Sequence, residues 1–177
     1  MYTVLAVGIT LQSSSSSGSE EDENTTTELT YTATGLTAGL SYKFKVEARN
    51  YLYYSEPSDP IVILCATVPV IPGVPTTVNE ADYILIDWNA PVSNGLPIDD
   101  YVIAIKQFDG VFFDDITHCT VASDSNLLTT TSCTVPLASL TDSPYYLSLD
   151  DAVMVKVKAG NAYGFSDYSG VGDGAVI

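Results

Sequence analysis

Few residues in this 177-residue chain have the chemistry a catalyst needs. One histidine, His118, stands beside Cys119. An imidazole next to a thiol is half of a nucleophilic system, which also requires an orienting partner in three-dimensional register. Cys119 has a competing use. Cys133 follows at a separation of 14, across the polar stretch Ala122 to Asn126, as two strands of a hairpin would place it. Pairing would close a loop worth on the order of 3 kcal/mol and would place the chain in an oxidising compartment. The alternative is two buried thiols. Cys65 is left over and reads as a small buried hydrophobe. The chain has no HExxH, no CxxC pair and no Gly-rich phosphate loop. The expectation is a protein that is not an enzyme and needs no cofactor.

Carboxylates are more numerous. Acidic doublets at Asp99-Asp100, Asp114-Asp115 and Asp150-Asp151 fall at expected strand ends. Calcium takes six to eight oxygens from several segments, and no EF-hand spacing is present, so these read as solvated turn residues. Against 22 acidic residues stand only 6 basic ones, a formal charge of -16. Such a field repels a phosphate backbone and an anionic leaflet, which excludes nucleic acid as a partner. No apolar run approaches the ~18 residues of a membrane span, so membrane insertion is not expected. The basic residues share a pattern: Lys43, Lys45, Arg49, Lys106, Lys156 and Lys158 fall on two kinds of strand, alternating with Tyr42, Phe44, Val46, Ile105, Val155 and Val157. They should face out from one sheet, with Lys43, Lys45, Lys106, Lys156 and Lys158 as the interaction candidates, or else all are plain solvated edge residues. Asn24-Thr25-Thr26 is an N-glycosylation acceptor and Ser13 to Ser17 could carry O-linked sugar. With the cysteine pair they favour the cell exterior. Glu20 to Glu23 reads as a mobile acidic loop, and no Arg-Gly-Asp triplet occurs.

The elements that must position these groups are strands. Tyr, Val, Ile and Thr are abundant and no long segment has helical period, so the fold class is all-β. A pattern recurs at a fixed offset: Val46-x-Ala48-x-Asn50 then Ser55, and Val157-x-Ala159-x-Asn161 then Ser166. Tyr2, Val4, Ala6 match Tyr101, Ile103, Ile105 with the same period of two but at a different spacing, because the acidic loop that follows differs in length between the copies, so the apolar opening residues read as a strand and not as a signal peptide.

The segments Pro69, Pro72, Pro75, then Ile84-x-Ile86-x-Trp88-x-x-Pro91, Asn94-Gly95 and Ile98-x-x-Tyr101-x-Ile103, then Val-x-Ala-x-Asn, resemble the fibronectin type III family over almost the whole chain. The resemblance implies tandem β-sandwiches: residues 1–66 as a partial module, strands C to G without A and B, and 67–177 as a complete one. In the second, A and B precede Trp88, with C at 100–107, C′ at 111–119, E at 131–137, F at 152–160 and G at 166–177. It implies that Trp88 and Tyr101 fill the core and that Leu36-x-x-Gly39-x-x-Tyr42 is a tyrosine corner. The second unit departs here, with Val153 at the matching position. The short Pro-stiffened linker Ala66 to Pro72 implies modules in series. Stretches such as Cys133-Thr134-Val135-Pro136-Leu137 are similar to repeats of large secreted or surface proteins of single-celled eukaryotes. The function so implied is an extracellular or cell-surface structural or adhesive module, a filament subunit or repeat unit, contacting other modules or copies of itself. A ligand- or carbohydrate-binding receptor ectodomain is the alternative, with Tyr51, Tyr53 and Tyr54 as its aromatic cluster and glycans as possible partners.

Overall fold

The computed structural model describes residues 6–13, 22–26, 30–50 and 52–177. They are mostly β-strands, with little helix, in two compact units, Met1–Thr67 and Val68–Ile177.

In the first unit, β1 (Ala6–Ser13), β2 (Asp22–Thr26), β3 (Ser41–Arg49) and β4 (Ile61–Leu64) form one antiparallel sheet in the order β2-β1-β3-β4. Period-two alternation makes β3 a strand: Tyr42, Phe44 and Val46 share one face, and Lys43, Lys45 and Glu47 the other. Opposite residues of an antiparallel pair share a face, so Ile63 across from Tyr42 and Ile61 across from Phe44 extend the apolar side. The Tyr42 hydroxyl accepts the Thr37 N–H at 2.8 Å, and Gly39, at φ +85°, turns the chain so that its N–H reaches the Cys65 carbonyl at 2.7 Å.

Two expectations for this unit are corrected. Asp22 and Glu23 belong to β2, paired with Leu11 and Thr10, because the ladder bonds of β1 and the β-branched Thr25 and Thr26 outweigh charge repulsion along the edge. Glu20 and Glu21, like Tyr2, Val4, Ser14 to Ser17 and Tyr51, lie outside the described residues. The alternate apolar residues were also expected to point into a core. Tyr42 is buried, but Val46 is 46% exposed, Ile61 61% and Ile63 48%. Residues 30–40 form no strand, and among the described residues of this unit there is one sheet and no second layer over it.

The second unit has two sheets. β5 (Thr76–Asn79), β6 (Tyr83–Asp87) and β9 (Ser132–Pro136) form one, in the order β5-β6-β9. The other, in the order β11-β10-β7-β8, contains β7 (Ile98–Lys106), β8 (Phe112–Asp114), β10 (Val155–Asn161) and β11 (Gly164–Phe165). Alternate residues of both meet in one core: Ile84 and Ile86 of β6, Val135 of β9, Ile103 and Ile105 of β7, and Val155, Val157 and Ala159 of β10 are fully buried. Trp88 packs edge-on against Tyr101, ring centroids 5.1 Å apart, at the centre of it.

The C-terminal segment stitches the two sheets. Gly172 exchanges backbone bonds with Val155 at 2.8 and 2.9 Å, while the Thr77 hydroxyl of β5 accepts the Ala175 N–H at 2.9 Å. Gly172 lies so close to the chain that a Cβ there would overlap the Pro75 carbonyl. Two short helices escaped the sequence reading, α1 (Leu127–Thr130) and α2 (Leu137–Thr141). Each is too short to show a period, and each hangs on one fully buried leucine, Leu127 and Leu140.

The repeat extends to individual hydrogen bonds. Asn50 Oδ1 accepts the N–H groups of Leu52 and Tyr53, and Asn161 Oδ1 those of Tyr163 and Gly164. The Ser55 hydroxyl accepts the Ala48 N–H at 3.0 Å, and Ser166 that of Ala159 at 3.1 Å. Ser58 and Ser169 do the same for Val46 and Val157, each at 3.0 Å.

Candidate functional site

The expected disulfide is present, between Cys119 and Cys133, but not within a hairpin. β8 pairs with β7, β9 pairs with β6, and Cys119 lies in the turn after β8. The bridge therefore ties a loop leaving one sheet to a strand of the other. The cause is Asp115, which ends β8 by turning its carboxylate back on the chain. Its Oδ1 accepts the N–H groups of Thr117, His118 and Cys119 at 2.9, 2.6 and 3.3 Å. Its Oδ2 accepts the Tyr145 hydroxyl at 2.7 Å and meets His118 Nδ1 at 3.1 Å. Burial alone would raise the Asp115 carboxyl, but the bonds from His118, Tyr145 and Thr117 outweigh it and hold the group below its ordinary value. Burial, then the bond to Asp115 and the charge on it, push the Tyr145 phenol well above its ordinary range.

Beside this node lies an open cavity of about 370 Å³, lined by Phe113, Thr117, His118, Ser139, Asp142 and Tyr145 among others. His118 is thus held by a buried carboxylate and faces a hollow with hydroxyls. The sulfur of Cys119 is committed to Cys133, so no Cys119 thiol is available for His118 to activate.

The candidate basic residues divide into two groups. Lys43 and Lys45 are exposed on β3. On β10, aromatic rings of the same unit cover the cations: Lys156 stands 4.3 Å from the Phe112 ring, and Lys158 4.6 Å from Tyr168 and 5.2 Å from Phe165. Lys158 also lies 3.9 Å from Asp114, which accepts the Tyr168 hydroxyl at 2.5 Å. Burial, then that bond and the Asp114 charge, push the Tyr168 phenol up. Lys106 leans on the Met154 sulfur at 3.6 Å, and Arg49 lies over the Tyr54 ring at 5.2 Å.

The acidic doublets do not converge. Among the described residues no group of three or more metal-capable side chains forms; Asp151 accepts the Ser148 N–H at 2.7 Å, and Asp114 and Asp115 accept the hydroxyls of Tyr168 and Tyr145. Asn24 of the glycosylation acceptor lies on β2, across from Ile9. Of the expected tyrosine cluster, Tyr53 is 78% and Tyr54 46% exposed. A second exposed aromatic pair was missed: Phe108 and Tyr146 meet edge-to-face, centroids 5.9 Å apart. They are far apart in sequence, and Tyr146 reaches this position through a positive φ of 53° that nothing in its neighbours announces.

No family model matches the chain. A Kelch domain-containing protein of Saccharolobus solfataricus is 31% identical over 99 residues, which are 55% of this chain but 14% of that protein. The chain thus spans about a seventh of the curated relative it matches. Among the described residues no helix is long and apolar enough to cross a membrane.

Proposed function

We propose that the chain is a piece of a non-enzymatic structural or adhesive protein of the cell exterior, built from fibronectin type III-like sandwiches in series. The first unit supplies a C′-C-F-G sheet and the second a complete module. The observation that carries this is the repeated strand: the same Asn cap and the same pair of serine hydroxyls close β3 and β10. The Tyr42 hydroxyl bonded back to Thr37 supports the tyrosine corner, and the Cys119–Cys133 bridge favours an oxidising compartment. The groups with catalytic potential serve packing instead: Cys119 is bridged and Asp115 is spent on backbone N–H groups and Tyr145.

Contacts with other modules or copies of itself would use the exposed cations of β3 against the acidic surface, since Lys156 and Lys158 already have partners. The double variant Lys43→Glu, Lys45→Glu should weaken self-association in sedimentation at low salt and lose the salt dependence of the wild type. Association unchanged by both substitutions removes these lysines from the contact. A ligand- or carbohydrate-binding module is the second reading, favoured by the exposed Phe108–Tyr146 pair. A glycan array that loses its signal when both become Ser would establish it.

A further inference from the structure

We propose that the hollow beside Asp115 is a saccharide subsite that takes one neutral pyranose residue, separate from the exposed Phe108–Tyr146 pair. It lies wholly within the second unit, and its volume of about 370 Å³ falls in the ~300–1,000 Å³ range of small-molecule sites. Its walls are already held in place. The Asp142 carbonyl accepts the N–H groups of Tyr145 and Tyr146, both at 2.9 Å, and the Gln107 amide donates to the Pro144 carbonyl at 2.8 Å. The Phe113 ring stands edge-on to Tyr145, centroids 6.1 Å apart, and Asp115 fixes the His118 imidazole. The backbone of the wall is thus satisfied while its polar side chains are not. Among the described residues, the hydroxyls of Ser139 and Ser143 and the carboxylate of Asp142 have no partner within the protein. Thr141, on the same helix α2, instead donates its hydroxyl to the Ala138 carbonyl at 3.0 Å.

The lining selects the ligand class. An ionised Asp115 only accepts, so His118 Nδ1 carries the proton toward it and Nε2 is the ring nitrogen left for a ligand. An anion would meet Asp142 and the field of a chain with a net charge of -16, which repels it. An alkylammonium answers Asp142 with donors alone. A pyranose has donors and acceptors around its rim and C–H groups on its face. It therefore answers the carboxylate, the two hydroxyls, the imidazole and the rings of Phe113 and Pro144 together. The subsite rests on the carbohydrate reading for its ligand class, and the experiment separates the two claims.

The probes are methyl α-D-mannopyranoside, methyl β-D-glucopyranoside and methyl β-D-galactopyranoside, titrated into the intact chain and followed by saturation-transfer difference NMR. At least one should saturate with a Kd of about 1 mM, the strength open to so small a ligand. Asp142→Ala should weaken that binding at least about tenfold, and Ala138→Trp, which fills the hollow, should abolish it. Both positions are exposed, so the variants should keep the buried emission of Trp88. The double variant Phe108→Ser, Tyr146→Ser should bind as the wild type does. No saturable binding of any probe, binding unchanged in Ala138→Trp, or saturation by n-butylamine in place of the glycosides overturns the proposal. Glycan capture that survives Ala138→Trp but not the aromatic double variant keeps the carbohydrate reading and sinks only the subsite. A chain that captures neither the glycosides nor any arrayed glycan sinks both.

Discussion

Reduction of the Cys119–Cys133 bridge should cost the second unit about 3 kcal/mol, a figure set by chain entropy at a sequence separation of 14. Native packing should change little, because both sulfurs are buried and two thiols fill nearly the space of one bridge. The loop also has an independent tether, since Asp115 keeps its bonds to Thr117, His118, Cys119 and Tyr145 after reduction. The loss therefore lies in the freedom the unfolded chain gains. At a urea slope of about 2 kcal/mol per molar, the midpoint should fall by about 1.5 M, and the thermal midpoint by roughly 10 °C. Trp88 makes the assay specific. It is the chain's single tryptophan and sits in the core of the second unit, so its emission follows that unit alone. Paired urea titrations with and without a phosphine reductant give both midpoints, and thiol counting verifies reduction. A shift below about 0.3 M at unchanged slope would refute the reasoning, because the loop would then be restrained equally without the bond.

The matched valines offer a comparison within one chain. Val157→Ala should destabilise the Trp88 transition by about 2 kcal/mol through lost burial and a cavity, while Val46→Ala should cost the first unit well under ~1 kcal/mol by hydrogen exchange. Gly172→Ala places a methyl against the Pro75 carbonyl and should lower the urea midpoint by the equivalent of about 1–3 kcal/mol, with Gly73→Ala, where nothing crowds a Cβ, as the silent control. The buried node should make stability pH-dependent at both ends. The folded Asp115 carboxyl is held low, so its contribution is present above the ordinary carboxylate value and is lost as pH falls below it. The folded Tyr145 phenol is held high, so its contribution is complete below pH 10.0 and is lost as pH rises beyond it. Tyr145→Phe should reduce the alkaline loss, leaving the part that the raised Tyr168 phenol contributes, and cost about 1–3 kcal/mol at neutral pH, read from the same Trp88 titrations.

Strands announced themselves where a two-residue period was clean. Ile84-x-Ile86-x-Trp88, Tyr101-x-Ile103-x-Ile105 and Val155-x-Val157-x-Ala159 read as half-buried strands, and all lie in the core. Which strands share a sheet was less legible. Cys119 and Cys133 suggested a hairpin because spacing reports reach, not sheet membership, and the strand between β7 and the bridge stops after three residues. Asp115 looked no different from the other doublet aspartates. What sets it apart is Tyr145, 30 residues away, and no local pattern carries that contact. The exposure of Val46 could not be read either, since alternation records that a face is apolar without recording whether anything covers it.

The serine hydroxyls that cap β3 and β10 bear on how copies of this protein could aggregate. Where a strand outruns its neighbour, as β3 outruns β4 and β10 outruns β11, unpaired main-chain amides are normally a template on which amyloid grows, because another chain can zip onto them in register. Here the amides of Val46, Ala48, Val157 and Ala159 are answered from within the molecule, by side-chain oxygens spaced unlike a strand. A protein so rich in β-forming residues can then be stacked at high local density with those margins closed to runaway zippering.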